Sequence, residues 1–236
     1  MDAIVFDWDG TLVDSLPAIF DANLKVLEEY GLPFDDERYR AAYVPDWRLM
    51  YQRLGIPDDA LDAAGERWLA LYAGTDTAAL LPRISESLQR LSDAGYVMGL
   101  VTAGHSDVVE RQLERFGIGH LLPVRIFGND DVATKPHPDP LLLALRQLDR
   151  AERVATARYV GDVPDDMRMA RSVGAVGVGI ESSIGSRAEL IAAGASEVYP
   201  GVAAFVDALL ASVGPARVGE APAERAPADR ASGEPA

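Results

Sequence analysis

Cysteine is absent from this chain, and lysine nearly so: Lys25 and Lys135 stand against twenty arginines. The first absence removes disulfides, thiolate nucleophiles and cysteine metal sites together. The second makes each lysine a residue to explain, because arginine supplies the positive charge everywhere else. No apolar run approaches the roughly 20 residues of a membrane span. The N-terminus has no basic stretch followed by an apolar one, so neither a signal peptide nor a membrane partner is expected, and the expected location is cytoplasmic. Positive charge is scarce overall, with a formal net charge of −15. The last stretch, "PARVGEAPAERAPADRASGEPA", holds three Arg and four acids, so the excess lies in the rest of the chain. Nucleic acid, which needs clustered Lys and Arg, is excluded as a partner, and the acidic surface serves solubility.

What is present is an alternation. Short apolar runs at Ala3–Phe6, Tyr96–Thr102, Val124–Phe127, Ala157–Val160, Ala175–Ile180 and Glu197–Tyr199 read as strands. Helical patterns separate them near Arg83–Asp93, Asp107–Phe116, Pro140–Leu148, Asp165–Ser172, Ser186–Ala192 and Val202–Ala211. Such alternation predicts an α/β fold with a Rossmann-like parallel-sheet core. The first two strands are too far apart for a simple crossover. The interval reads as helices at Leu16–Tyr30, Asp36–Ala42, Asp46–Leu54 and Asp58–Tyr72, punctuated by Gly31-Leu32-Pro33, Gly55-Ile56-Pro57 and Gly74. The expected organisation is therefore a core of 1–14 and 82–213, a helical cap of 15–81, and a disordered tail of 214–236.

The chemistry collects at strand ends. "IVFDWDGT" places Asp7 and Asp9 two residues apart where the first run stops, on one face of an extended chain. Two carboxylates there repel unless a cation or a proton lies between them. Thr102 ends the second strand in "GLVTAGHS", Lys135 follows the third in "VATKPHPDP", and Asp162 and Asp166 follow the fourth in "YVGDVPDDM". In a parallel sheet these ends share one edge. Carboxylates converging with one hydroxyl and one lysine suit Mg²⁺, an oxygen-loving cation that takes few carboxylates and a phosphate. Lysine and threonine are then apt phosphate partners.

These four ordered segments resemble the haloacid-dehalogenase-like superfamily of phosphohydrolases, from Asp2 to about Ala211. The position of the insertion resembles its helical-cap subgroup. "DGTLVDS", "KPHPDPLLLAL" and "VGDVPDDMRMARSVG" resemble its phosphoglycolate-phosphatase-like members. The resemblance implies Mg²⁺-dependent hydrolysis of a small phosphorylated metabolite through an aspartyl-phosphate. It implies Asp7 as nucleophile, Asp9 as general acid and base, and Thr102 and Lys135 as phosphoryl-binding residues. Asp7, Asp162 and the backbone carbonyl of Asp9 are the implied magnesium ligands, with Asp166 supporting the site. Two features depart from that pattern. Trp8 replaces the usual aliphatic residue and should face away from the aspartates, and "AAYVPDWRLMYQRLG" lacks a glycine-rich stretch often seen there, which bears on the substrate. A phosphomutase of the β-phosphoglucomutase type is the alternative enzyme, and a phosphoacceptor signalling module the alternative without turnover.

Several other residues carry expectations. Arg48 and Arg53 flank an apolar helical segment and are candidates for binding a substrate carboxylate. Ser106 reads as the cap of its helix, freeing Thr102, whereas Asp162 and Asp166 read as both site residues and helix caps. His105 and His137 read as local loop residues, and Trp47, Trp68 and Tyr72 as packing within the helical insertion. Oligomeric state has no signature in the sequence.

Overall fold

The structure, a computed structural model, describes residues 2–74 and 77–213. The chain begins with β1 (Ala3–Phe6) and enters a two-stranded antiparallel ribbon of β2 (Val13–Asp14) and β3 (Ala79–Leu80). Between the ribbon's strands lie α1 (Leu16–Glu29), α2 (Asp36–Ala42), α3 (Trp47–Leu54) and α4 (Leu61–Ala73). Then follow α5 (Ile84–Asp93), β4 (Val97–Val101), α6 (Ser106–Phe116), β5 (Val124–Ile126), α7 (Asp139–Gln147) and β6 (Arg158–Gly161). The last elements are α8 (Pro164–Val173), β7 (Val176–Ile180), α9 (Arg187–Ala193), β8 (Glu197–Tyr199) and α10 (Val202–Val213).

Six strands make one parallel sheet in the order β5-β4-β1-β6-β7-β8. The chain winds outward from β1 in one direction, then crosses back to wind in the other. The switch falls between β1 and β6, where open α/β sheets leave a crevice at the carboxyl edge. Strand β1 is central and buried along its whole length, as a continuous apolar run requires. Ile4 and Phe6 pack on one face with Leu88, Leu100 and Phe205. Ala3 and Val5 pack on the other with Leu141, Leu145 and Tyr159. Each large side chain so buried is worth about 1.5–3 kcal/mol.

Helices α1–α4 carry an apolar cluster of their own around Val26, Leu27, Tyr39, Met50, Tyr51 and Leu54. Their ends follow from sequence. Asp35 accepts from Arg38 N at 2.8 Å, and Asp46 accepts from Arg48 N at 3.0 Å, so each satisfies amides that its helix leaves bare. Asp46 thus caps α3 rather than beginning it. Gly55, at φ 101°, closes α3 in the left-handed region that favours glycine. The single helix expected over 58–72 is divided, a 3-10 turn at Asp58–Ala60 leading into α4. The ribbon, and the 3-10 turns Gly119–Leu121 and Ala151–Thr156, were not anticipated, since elements of two to six residues carry too little periodicity. The C-terminal segment expected to be disordered lies outside the described residues.

Candidate active site

The ladder of β1 continues one residue beyond the strand, where Asp7 N donates to Val160 O at 2.8 Å. Alternation then sets the three residues that follow Phe6. Trp8 shares the parity of Ile4 and Phe6 and is fully buried in their cluster. Asp7 and Asp9 take the opposite parity, and Gly10, at φ 78°, turns the chain back. Thr102 directly follows β4, Lys135 lies in the loop after β5, Asp162 directly follows β6, and Asp166 sits in the first turn of α8.

These ends meet. Lys135 Nζ lies 2.6 Å from Asp7 Oδ1, 2.8 Å from Asp166 Oδ1 and 3.3 Å from the Tyr159 hydroxyl. Tyr159 in turn donates to Val101 O at 2.8 Å. Thr11 Oγ1 donates toward Asp162 Oδ1 at 3.2 Å, with Asp7 Oδ2 at 3.5 Å. The second oxygen of Asp166 accepts from Val163 N at 3.1 Å. Asp9 stands slightly apart: its Oδ1 accepts from Ser15 Oγ at 2.5 Å and from the Tyr72 hydroxyl at 3.3 Å. Its Oδ2 and Thr102 Oγ1 both lie close to Gly104, where an added Cβ would be 3.3 Å from the first and 3.1 Å from the second.

Burial sets the electrostatics. It pushes the Asp7 carboxyl up to about 7, against the pull of Lys135 and with a further push from Asp166. Burial likewise raises Asp9, tempered by the hydrogen bonds from Ser15 and Tyr72. Asp162 is held well above the usual carboxylate range by burial and by its neighbours Asp7 and Asp166. Burial works against the charge of Lys135, but Asp166 and Asp7 beside it more than compensate, and the ammonium is held above its ordinary range.

One lysine does not balance this many acids. An oxygen each of Asp7, Asp162 and Asp166 lie within 4.8 Å of one another, all three residues buried. Asp162 Oδ2 is buried with no hydrogen-bond partner among the described residues. A Cβ at Gly10 would collide with that oxygen, so glycine leaves its approach clear. An all-oxygen donor set with one orphaned carboxylate oxygen fits a hard cation.

The structure therefore brings Asp7, Asp9, Thr102, Lys135, Asp162 and Asp166 to one edge. It adds Thr11, Ser15, Tyr72 and Tyr159, which sequence reasoning missed. Ser15 occupies the N-cap position of α1, yet its hydroxyl caps nothing and is spent on Asp9. Tyr72 has no local signal, because sixty-three positions separate it from Asp9. It is packing and site residue at once, stacked on Trp68 at 4.9 Å. His105, not Ser106, caps α6, accepting from Asp107 N, and Thr102 Oγ1 accepts from Gly104 N at 2.9 Å. Asp166 reaches back to the Val163 amide at the start of α8, while Asp162 caps nothing because Val163 occupies that position. Arg48 is bonded to Asp62 at 2.6 Å and lies over Trp47, and Arg53 points to Ala42 O. Neither guanidinium bonds to the carboxylate cluster.

A doubly wound parallel sheet with a buried acidic site at its carboxyl edge defines a Rossmann-like α/β enzyme. The chain belongs to the haloacid dehalogenase-like hydrolases, whose profile matches residues 4–180. A probable phosphatase IndB of Dickeya dadantii is 30% identical over 199 residues, covering 80% of this chain and 85% of that protein. A phosphoglycolate phosphatase of Pectobacterium atrosepticum is 31% identical over 186 residues, covering 75% and 79%. Among solved structures, a hydrolase from Pseudomonas syringae superposes with a TM-score of 0.80 at 26% identity, covering 89% of this chain and 98% of that one.

Proposed function

We propose that this protein is a Mg²⁺-dependent phosphatase of small phosphomonoesters of the phosphoglycolate kind, acting in the cytoplasm through a phosphoryl group carried on Asp7. The observation that carries the reading is Asp7 itself. It is a buried carboxylate at the carboxyl end of the central strand, one oxygen on Lys135 and the other toward Thr11. Relatives named phosphatases favour hydrolysis over the mutase alternative, which shares the phosphoryl chemistry.

In this reading a carboxylate oxygen of Asp7 attacks phosphorus, and the bond from phosphorus to the ester oxygen breaks. Asp9 gives its proton to the departing alkoxide. Asp9, now ionised, takes a proton from water, whose oxygen attacks phosphorus and breaks the bond to Asp7. Inorganic phosphate leaves and both aspartates are restored. Lys135 and Thr102 hold the phosphoryl oxygens, the lysine offsetting charge in the transition state. Asp7, Asp162 and the backbone carbonyl of Asp9 hold the cation, with Asp166 supporting them by orienting Lys135. When bound, the cation supplies the positive charge that keeps Asp7 ionised and offsets that of the phosphoryl group.

Residues 15–81 serve as a cap over a core of 1–14 and 82–213, excluding water from the reaction. A cavity of about 820 Å³ lined in part by Gly10, Leu16, Phe20, Tyr39 and Ser182 offers room for the organic part. Arg40 and Arg83 are the cations on its wall. Arg83 is already paired with Glu86 and Asp207. The test is phosphate release by the purified protein from a panel of phosphomonoesters. Repeated turnover that EDTA abolishes and Mg²⁺ restores is expected. Full activity in metal-free buffer, or one turnover that leaves the protein phosphorylated, overturns the reading.

A further inference from the structure

We infer that Tyr159 is a positioning residue for phosphoryl transfer: its hydroxyl holds the Lys135 ammonium in place without neutralising it, leaving that charge to face the phosphoryl group. The inference rests on the phosphoryl-binding role proposed for Lys135.

Lys135 reaches the site from a loop, and its flexible stem leaves the acceptors around Nζ to aim it. An ammonium donates three hydrogen bonds and accepts none. The described residues supply three acceptors: Asp7 Oδ1 at 2.6 Å, Asp166 Oδ1 at 2.8 Å and the Tyr159 hydroxyl at 3.3 Å. The hydroxyl oxygen accepts from Lys135, and its own proton goes to Val101 O at 2.8 Å, a carbonyl that can only accept. Tyr159 is fully buried on β6 and Val101 ends β4, so this bond crosses the central strand β1 that lies between them. Nζ is 5.9 Å from the ring centroid against 3.3 Å from the hydroxyl oxygen. The ammonium therefore sits at the oxygen end of the ring, and the hydroxyl makes the contact.

The three acceptors differ in what the reaction does to them. Asp7 is the proposed nucleophile, and its carboxylate loses its charge when it carries the phosphoryl group. Asp166 forms no bond to phosphorus, and its second oxygen is tied to the start of α8 through Val163 N at 3.1 Å. Tyr159 is the neutral member of the three. A further carboxylate in its place would cancel the positive charge that stabilises the transition state. A hydrocarbon there would leave a buried N–H without a partner. The hydroxyl avoids both costs. When Asp7 turns to phosphorus, Asp166 and Tyr159 keep the lysine aimed at the phosphoryl oxygens.

The test is a double-mutant cycle built on Tyr159→Phe, which removes one oxygen and keeps the ring. In the parent this change should lower kcat/KM about tenfold, the rate equivalent of one ordinary hydrogen bond, equally on phosphoglycolate and p-nitrophenyl phosphate. In a Lys135→Ala background it should cost nothing further, because Tyr159 acts through the lysine. Inorganic phosphate should bind less tightly to Tyr159→Phe than to the parent, as titration calorimetry measures. Tyr51→Phe is the control. It removes another buried hydroxyl, bonded to Asn23 Oδ1 at 3.0 Å among α1–α4, and should lower the melting temperature with kinetics and phosphate binding unchanged. With Lys135→Ala itself costly, the inference is overturned if Tyr159→Phe costs nothing in the parent, or costs as much without Lys135 as with it. The role of Lys135 then stands. If Lys135→Ala changes neither turnover nor phosphate binding, that role falls and the inference with it. Phosphate binding completes the same cycle should turnover without Lys135 be too slow to follow. All measurements are made below the melting temperature of the least stable variant.

Discussion

Asp7 is asked to be ionised in surroundings that favour its proton. Its carboxyl is pushed from 3.8 to about 7 by burial, which has a measurable consequence for stability. The folded chain keeps this proton where the unfolded chain has shed it. The contribution to folding is thus whole below 3.8 and lost as pH rises through about 7. Metal-free protein should therefore lose melting temperature across that window, and Asp7→Asn, with no such proton to lose, should lose less. Calorimetry of both proteins after EDTA treatment checks this, and parallel curves would refute it. Asp7→Asn should also abolish turnover with the fold intact, because an amide is a poor nucleophile. Lys135→Ala removes the ammonium from a site of buried acids and should cost about 2–4 kcal/mol of transition-state stabilisation. Steady-state kinetics measures it, and a loss under tenfold would place the phosphoryl contact elsewhere.

At the scale of elements, the turn after β1 and the α3–α4 pair make contrasting predictions. Gly10 combines φ 78° with an open approach to Asp162 Oδ2. Gly10→Ala should cost about 1–2 kcal/mol for the left-handed backbone alone. Its methyl group should also crowd Asp162, so the Mg²⁺ concentration needed for half-maximal activity should rise. An unchanged Mg²⁺ dependence would mean that Asp162 Oδ2 does not face the cation. Arg48 tells the opposite story: its ion pair with Asp62 is largely exposed, with side chains 51% and 81% accessible. Arg48→Ala should cost at most about 1 kcal/mol and leave KM for phosphoglycolate unchanged. A raised KM would return Arg48 to the substrate role expected from its sequence position.

Across the whole molecule, a cation that binds only the folded chain stabilises it by mass action. Saturation at 100-fold over the dissociation constant is worth about 2.7 kcal/mol. Adding Mg²⁺ to EDTA-treated protein should raise the melting temperature, and Asp162→Asn should blunt that rise. An equal rise in the variant would remove Asp162 from the cation's ligands. The family and the fold class were legible in the chain because their signals are local. A short continuous apolar run marks β1 and a period-3.6 pattern marks α5, and Asp7, Thr102, Lys135 and Asp162 each stand at or shortly after the end of a strand pattern. Convergence of those ends follows from a parallel sheet, so the acidic cluster too could be read before any coordinates. The ribbon of β2 and β3 could not, being too short to carry a period. Nor could the partners of Asp9, since Ser15 carries no sequence signal for the site and Tyr72 reads as packing until the fold brings its hydroxyl to Asp9. Sequence by itself determined which groups lie along the carboxyl edge, because a group's place at the end of a strand pattern is a property of neighbours in the chain and a parallel sheet brings such ends together. Only the tertiary structure decided which oxygen each donor reaches and that Arg48 is paired with Asp62, because those contacts join elements that no sequence spacing relates.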